Sequence, residues 1–261
     1  MDLSTFARGL GLAVAGAIVW LLYFDQKDKA APEPRHRLLI AVLAGTLSAG
    51  LASLVFSGIE HLGYPEPERG PLAGTAVLCF GFIGPIEEAC KALPFVLLVL
   101  RFREFDETID GIIYASAIAI GFAAAETALY VPRSSVADQV ARAFASPLTH
   151  AVFASVWGYG FAHAKFLAST RLQRVAWPLL SWLLAAAAHG LYDFAIFAFD
   201  ASLVASGVTL SLWLAMLHKV RSLTRAGETM AEATPPPPPS HSEGDVLPRS
   251  DTEGPSRLAR F

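Results

Sequence analysis

Apolar residues fall along this chain in long blocks, at about 3–24, 36–59, 72–100, 110–131, 147–168, 175–199 and 201–218. Each is close to the roughly 20 residues that a helix needs to cross a bilayer core. The pattern predicts an all-α, polytopic bundle of about seven transmembrane helices. The first block carries Asp2 ahead of Arg8 and ends on Trp20 and Tyr23, so it reads as a retained span rather than a cleaved leader.

Composition agrees with lipid as the main solvent. Hydrophobic residues make up 54% of the chain and charged residues 16%, with a mean hydropathy of +0.46. No basic face suggests nucleic acid. Cys79 and Cys90 lie on one predicted helix, eleven residues and so about 16 Å apart along its axis, too far for a disulfide.

The short loops divide unevenly in Lys and Arg. One side collects Lys27, Lys29, Arg35, Arg37, Arg101, Arg103, Lys165, Arg171, Arg174, Lys219, Arg221 and Arg225; the other collects Arg8, Arg69, Arg133 and Arg142. By the positive-inside rule the N-terminus is expected outside and the C-terminus in the cytoplasm. From residue 226 the composition turns to Glu, Ser, Thr and Pro, with an unbroken run from Pro235 to Pro239. Residues 1–225 are therefore read as the membrane domain and 226–261 as a disordered, proline-rich cytoplasmic tail.

Ionisable side chains inside the apolar blocks are costly and point to function or pairing. The third block holds Glu87, Glu88 and Lys91, the fourth Glu126, the fifth His150, and the sixth His189 and Asp193. Gly81, Gly84 and Pro85 are expected to interrupt the third helix, leaving Glu87 and Glu88 on the first turn of a half-helix, where free amides favour negative charge. Lys91 lies one turn on and can pair with either glutamate. His189 and Asp193 share a face at a four-residue spacing, as do Phe122 and Glu126. Asp110 reads as a helix N-cap, Cys90 as a packing residue and Tyr114 as an interior or interfacial aromatic.

Missing residues narrow the chemistry. There is no His-Glu-x-x-His helix, no Glu-x-x-His pair for a di-metal bundle and no Gly-x-Gly-Asp partner for the aspartate beside Tyr192. Ser48, within Gly45-Thr-Leu-Ser-Ala-Gly50, reads as small-residue helix packing. Carboxylates and imidazoles remain, a set suited to activating water.

Glu87-Glu88-Ala-Cys-Lys91, Phe122-Ala-Ala-Ala-Glu126, His150 and His189-Gly-Leu-Tyr-Asp193 resemble the ordered motifs of the PrsW family of intramembrane proteases, within the CAAX-protease and bacteriocin-processing superfamily. The stretch from Phe105 to Tyr114 and Gly121-Phe122 is also similar, so the resemblance covers about residues 75–200; Ser146 stands where the family tends to place a Phe. The resemblance implies an endopeptidase of a bacterial cell membrane, acting on a membrane-protein substrate for which an anti-sigma factor is one candidate. In such relatives a glutamate and a His activate water while a His with an amide or carboxyl residue stabilises the oxyanion.

On that basis Glu87 or Glu88 is expected as general base, Glu126 and His150 as water-orienting groups, and His189, held by Asp193, as the oxyanion donor, with Lys91 fixing the second glutamate and Phe122 in support. No cofactor is certain; the same set could ligate a divalent metal such as zinc. Two other classes stay open: a proton-coupled transporter with a Glu/His relay, and a non-catalytic scaffold presenting the tail.

Overall fold

The computed structural model describes residues 3–27, 32–63, 71–130 and 135–233. Lys29, Arg69 and Arg133, counted above for orientation, and residues 234–261 of the expected tail lie outside them. Among the described residues there is no strand, and the helices are α1 (Leu3–Asp25), α2 (Arg35–His61), α3 (Leu72–Ala76), α4 (Gly84–Leu97), α5 (Thr108–Tyr130), α6 (Val136–Phe166), α7 (Arg171–Phe199) and α8 (Ser202–Ala233). A π-helical stretch, Val77–Ile83, joins α3 to α4 into one rod, so the bundle has seven.

The expected break before Glu87 takes a different form. Ile83 keeps helical dihedrals (φ −60°, ψ −63°), so the chain changes hydrogen-bond register instead of restarting from an extended residue. Gly84 and Pro85 still matter. Pro85 has no N–H to donate, and a Cβ at Gly84 would lie 2.3 Å from the Ala186 carbonyl oxygen of α7. The glycine thus lets two helix backbones meet beside the glutamates, and neighbouring packing holds a segment that would otherwise unwind.

Boundaries also shift. Ser135 and Asp138 form a reciprocal capping box, which starts α6 eleven residues before Pro147 and places Arg142 inside a helix rather than in a loop. A second box, Thr170 with Gln173, starts α7. Helix α8 continues past residue 225 to Ala233. Asp110 is not the N-cap of α5 but sits in its first turn, where its carboxylate accepts the backbone N–H groups of Asp106 (2.9 Å) and Glu107 (2.6 Å).

Five helical segments are long and apolar enough to cross a membrane: Phe6–Asp25, Arg35–His61, Thr108–Leu129, Arg171–Phe199 and Ser202–Arg225. Together they make this a multi-pass membrane protein. Helix α5 is the axis of the bundle, its Ile109–Ala123 stretch almost wholly buried against α1, α2, α4 and α6. Leu47, Leu54, Leu172, Val175 and Leu203, by contrast, face outward on α2, α7 and α8, as lipid-facing positions should. The α3–α4 rod and α6 are absent from the five. They carry half of the buried polar and charged side chains among the described residues, Glu87, Glu88, Lys91 and His150 included.

Candidate active site

Four helices, α4 to α7, deliver the acidic and imidazole side chains to one buried cluster. Glu87, Glu88, Lys91, His150 and His189 are all buried there, and Glu88 and Lys91 are fully so. A single unpaired charge in such a place would cost several kcal/mol. The cluster offsets this by dense pairing.

Glu88 is the saturated member. Its Oε1 accepts from Lys91 Nζ at 2.7 Å and lies 2.9 Å from His189 Nδ1, while its Oε2 accepts from Trp157 Nε1 at 2.8 Å. Glu87 is held more loosely. Its Oε2 is 3.4 Å from Lys91 Nζ, 3.7 Å from His189 Nε2 and 3.9 Å from His150 Nδ1. Adjacent in sequence, the two carboxylates face different partners: Glu88 meets fixed donors and Glu87 looks toward two imidazole edges.

His150 has its Nε2 2.9 Å from Glu126 Oε2, at ion-pair distance but off the axis of a good hydrogen bond, and Arg142 lies 3.6 Å from the same carboxylate. Its Nδ1 is buried and has no hydrogen-bond partner. His189 lies 3.5 Å from Asp193 Oδ2, longer than its 2.9 Å contact with Glu88. The closest support of His189 therefore comes across helices from α4 and not from the four-residue neighbour that its spacing suggests. Aromatic rings wall the cluster. Phe153 stacks on His189 at 5.1 Å, Phe122 lies 5.6 Å from His150, and Lys91 Nζ sits 4.5 Å from the Phe122 ring centroid.

Every site residue inferred from sequence comes to this cluster. Two further members, Trp157 and Arg142, come with it. Trp157 lies seven residues after His150 on α6, two turns along one face, and that spacing is the signal that could have found it. The Ser48 hydroxyl turns back on its own helix, donating to the Gly45 carbonyl at 2.8 Å.

The group also fits a metal ion. One donor atom from each of Glu87, His150 and His189 lies within 4.8 Å of the others, and the orphaned Nδ1 of His150 stands 3.9 Å from Glu87 Oε2. Each imidazole turns its remaining nitrogen to a carboxylate, Glu126 for His150 and Glu88 for His189. That carboxylate–imidazole–metal order is how proteins orient histidine ligands. Glu87, Glu88, Glu126 and Asp193 outnumber Lys91 and Arg142 by two formal charges, the deficit a divalent cation would neutralise.

A family model described as PrsW family intramembrane metalloprotease matches residues 33–219. The chain belongs to the PrsW family. It is similar to Protease PrsW of Geobacillus kaustophilus (strain HTA426), 32% identical over 228 residues that cover 87% of this chain and 96% of that protein. It is likewise similar to Protease PrsW of Bacillus subtilis (strain 168), at 30% over 185 residues, 71% of this chain and 81% of that protein. Protease PrsW of Clostridioides difficile (strain 630) is 28% identical over 196 residues, 70% of this chain and 76% of that protein. No solved structure matches it significantly. Membership of the PrsW family makes the chain a membrane-embedded peptidase.

Proposed function

We propose that this chain is an intramembrane endopeptidase in which Glu87, His150 and His189 hold a divalent cation such as zinc. The observation that carries the reading is the convergence of those three donors with each imidazole backed by a carboxylate. When bound, such an ion supplies Lewis-acid polarisation of the scissile carbonyl and a water acidic enough to attack near neutral pH.

The chain's own residues do the rest. Glu88 and Glu126 orient His189 and His150. Lys91 holds Glu88 and neutralises part of the acidic surplus. Asp193, whose carboxylate stands 3.5 Å from His189 Nε2, is placed to take a proton from the attacking water and pass it to the leaving nitrogen. The Phe122 and Phe153 rings limit water around the two imidazoles.

A second reading needs no ion. The contacts of Glu87 are all 3.4 Å or longer whereas Glu88 is saturated, so Glu87 is the carboxylate left to deprotonate water, with His150 and Glu126 orienting it. The two readings share residues and differ in their response to chelation.

Orientation and substrate follow from charge. The Lys and Arg excess supports an N-terminus outside and a cytoplasmic C-terminus, which sets the cluster between the bilayer centre and the outer face. A helical peptide bond is already hydrogen-bonded and shielded, so the scissile bond has to be presented as extended backbone. The fitting substrate is a single-pass membrane protein cut near its extracytoplasmic juxtamembrane segment, an anti-sigma factor being one candidate and signalling the consequence. The test is a cleavage assay in membranes, followed by mapping of the new termini. Cleavage that requires Glu87 and yields extracytoplasmic ends supports the proposal; cleavage unchanged in Glu87→Gln rejects the site, and ends confined to the cytoplasmic side reject the access route.

A further inference from the structure

The hydrogen bonds around Glu88 carry a constraint on the neighbouring histidine. Lys91 and Trp157 can only donate: an ammonium has no lone pair to offer, and an indole Nε1–H has none. Both point at Glu88, one at each oxygen, at 2.7 Å and 2.8 Å. Donors converging on both of its oxygens favour Glu88 as the ionised, acceptor-only carboxylate. The 2.9 Å contact from His189 Nδ1 to Glu88 Oε1 then has one consistent assignment, Nδ1–H donating. In neutral His189 this leaves the lone pair on Nε2, the nitrogen 3.7 Å from Glu87 Oε2.

We propose that Trp157 is a positioning residue, which pins the plane of Glu88 and so fixes His189 as the Nδ1–H tautomer with Nε2 turned to the reaction centre. The inference rests on the metal-holding reading for its benefit, but its geometry is independent of any ion. It reassigns a role as well. A neutral His189 in this tautomer accepts at Nε2 and has no proton there to give an oxyanion, so its expected part as donor passes to a part as ligand. Trp157 suits the task because it is fully buried and itself wedged by Phe95, 5.3 Å away and edge-on, and by Phe161 at 6.3 Å. A donor on so rigid a ring cannot follow a rotating carboxylate.

Two substitutions at this contact should partly reverse one another. Trp157→Phe keeps a ring but removes the donor, freeing Glu88 to turn; zinc affinity is expected to fall about tenfold. Glu88→Gln puts an amide NH2 where donors converge on both sides, so one donor must face another. Trp157→Phe in the Glu88→Gln background relieves that conflict, since the NH2 can then face the phenyl ring while the carbonyl stays on Lys91 and His189. The double variant should bind zinc more tightly than Glu88→Gln alone. A merely structural role for Trp157 gives two losses that add.

The experiment is nitrogen NMR of metal-free protein labelled at its histidines, with His189→Asn to assign the signal, together with zinc titration of the same four proteins. Wild type should show His189 protonated at Nδ1, and Trp157→Phe should show a mixture of tautomers. An Nε2–H tautomer in the wild type, an unchanged His189 signal in Trp157→Phe, or additive losses in the double variant would each overturn the proposal. Failure of wild type to bind zinc while the Nδ1–H tautomer and its loss in Trp157→Phe are seen would reject the metal reading and leave the positioning role of Trp157 standing.

Discussion

Helix α5 carries an acid near each of its ends, Asp110 buried and Glu126 half-buried, and the two ends are built differently. Near Thr108, Asp110 accepts two backbone N–H groups, Tyr114 donates its phenol to Glu33, and Lys165 donates to the Phe105 carbonyl at 2.6 Å. These bonds tie the segment before α2 and the turn before α5 to the bundle. At the other end, Glu126 lies against His150, whose second nitrogen is buried without a partner and faces Glu87. Both clusters are buried, and both involve acids. The difference is that the first meets its acceptors with backbone amides and a phenol, whereas the second keeps donor atoms aimed at a shared point. Buried charge by itself therefore does not single out a reaction centre; convergent, incompletely satisfied charge is the ground on which one is proposed at the second cluster.

Harmless substitutions at the second cluster would erase the difference between the two ends of α5. Glu87→Gln, His150→Ala and His189→Ala are each expected to lower the cleavage rate by about a thousandfold or more, since groups that act together lose nearly everything when one is removed. Accumulation in the membrane should stay close to wild type, because the lost groups serve chemistry more than packing. Quantifying product and protein in the same membranes checks both halves.

Chelation is the next largest effect. Stripping divalent ions from the purified protein should abolish cleavage, and zinc added back should restore it, without a change in helix content by circular dichroism. Full activity after exhaustive chelation, with Glu87→Gln still inactive, would select the reading in which Glu87 itself deprotonates water.

At the first cluster the expectation reverses. Tyr114→Phe removes the phenol donor from buried Glu33 and should lower stability by about 1–3 kcal/mol, the usual penalty for depriving a buried acceptor. Cleavage per folded molecule should remain near wild type. Unfolding in detergent alongside the membrane assay separates the two quantities. A loss of turnover at unchanged stability would mean that the two ends of α5 are coupled.

Much of this arrangement is readable from the chain. Seven apolar blocks become seven rods, because lipid leaves the backbone few alternatives to helix. The motif residues on four of them converge. What periodicity cannot convey is which helix lies across from which. The four-residue spacing of His189 and Asp193 is visible, yet Glu88 on another helix comes closer, at 2.9 Å. Trp157 escapes notice for the same reason: an indole in an apolar block looks like packing until an acceptor is found opposite its N–H. Gly81, Gly84 and Pro85 correctly flag a weak point, but packing of α7 against it decides that the weakness becomes a π-helical register shift rather than a new helix end. The capping box at Ser135 and Asp138 is a local signal; apolar blocks alone pass over it, which is why Arg142 reads as a loop residue from hydropathy.

The smallest effect is expected at Ser48, a buried hydroxyl that could be mistaken for a nucleophile. Its Oγ donates back to the Gly45 carbonyl three residues earlier, a bond internal to α2 that adds little to a carbonyl already inside a helix. The segment's importance lies in closeness: a Cβ at Gly45 would stand 1.9 Å from the Ile118 carbonyl oxygen, so α2 reaches α5 backbone to backbone there. Ser48→Ala should therefore leave cleavage within about twofold and stability within about 0.5 kcal/mol of wild type. Gly45→Leu, on the same helix face, should force α2 away from α5 and lower the yield of folded protein. If Ser48→Ala instead removed activity at unchanged yield, the division between packing residues and reacting residues drawn along these helices would fail at its simplest point.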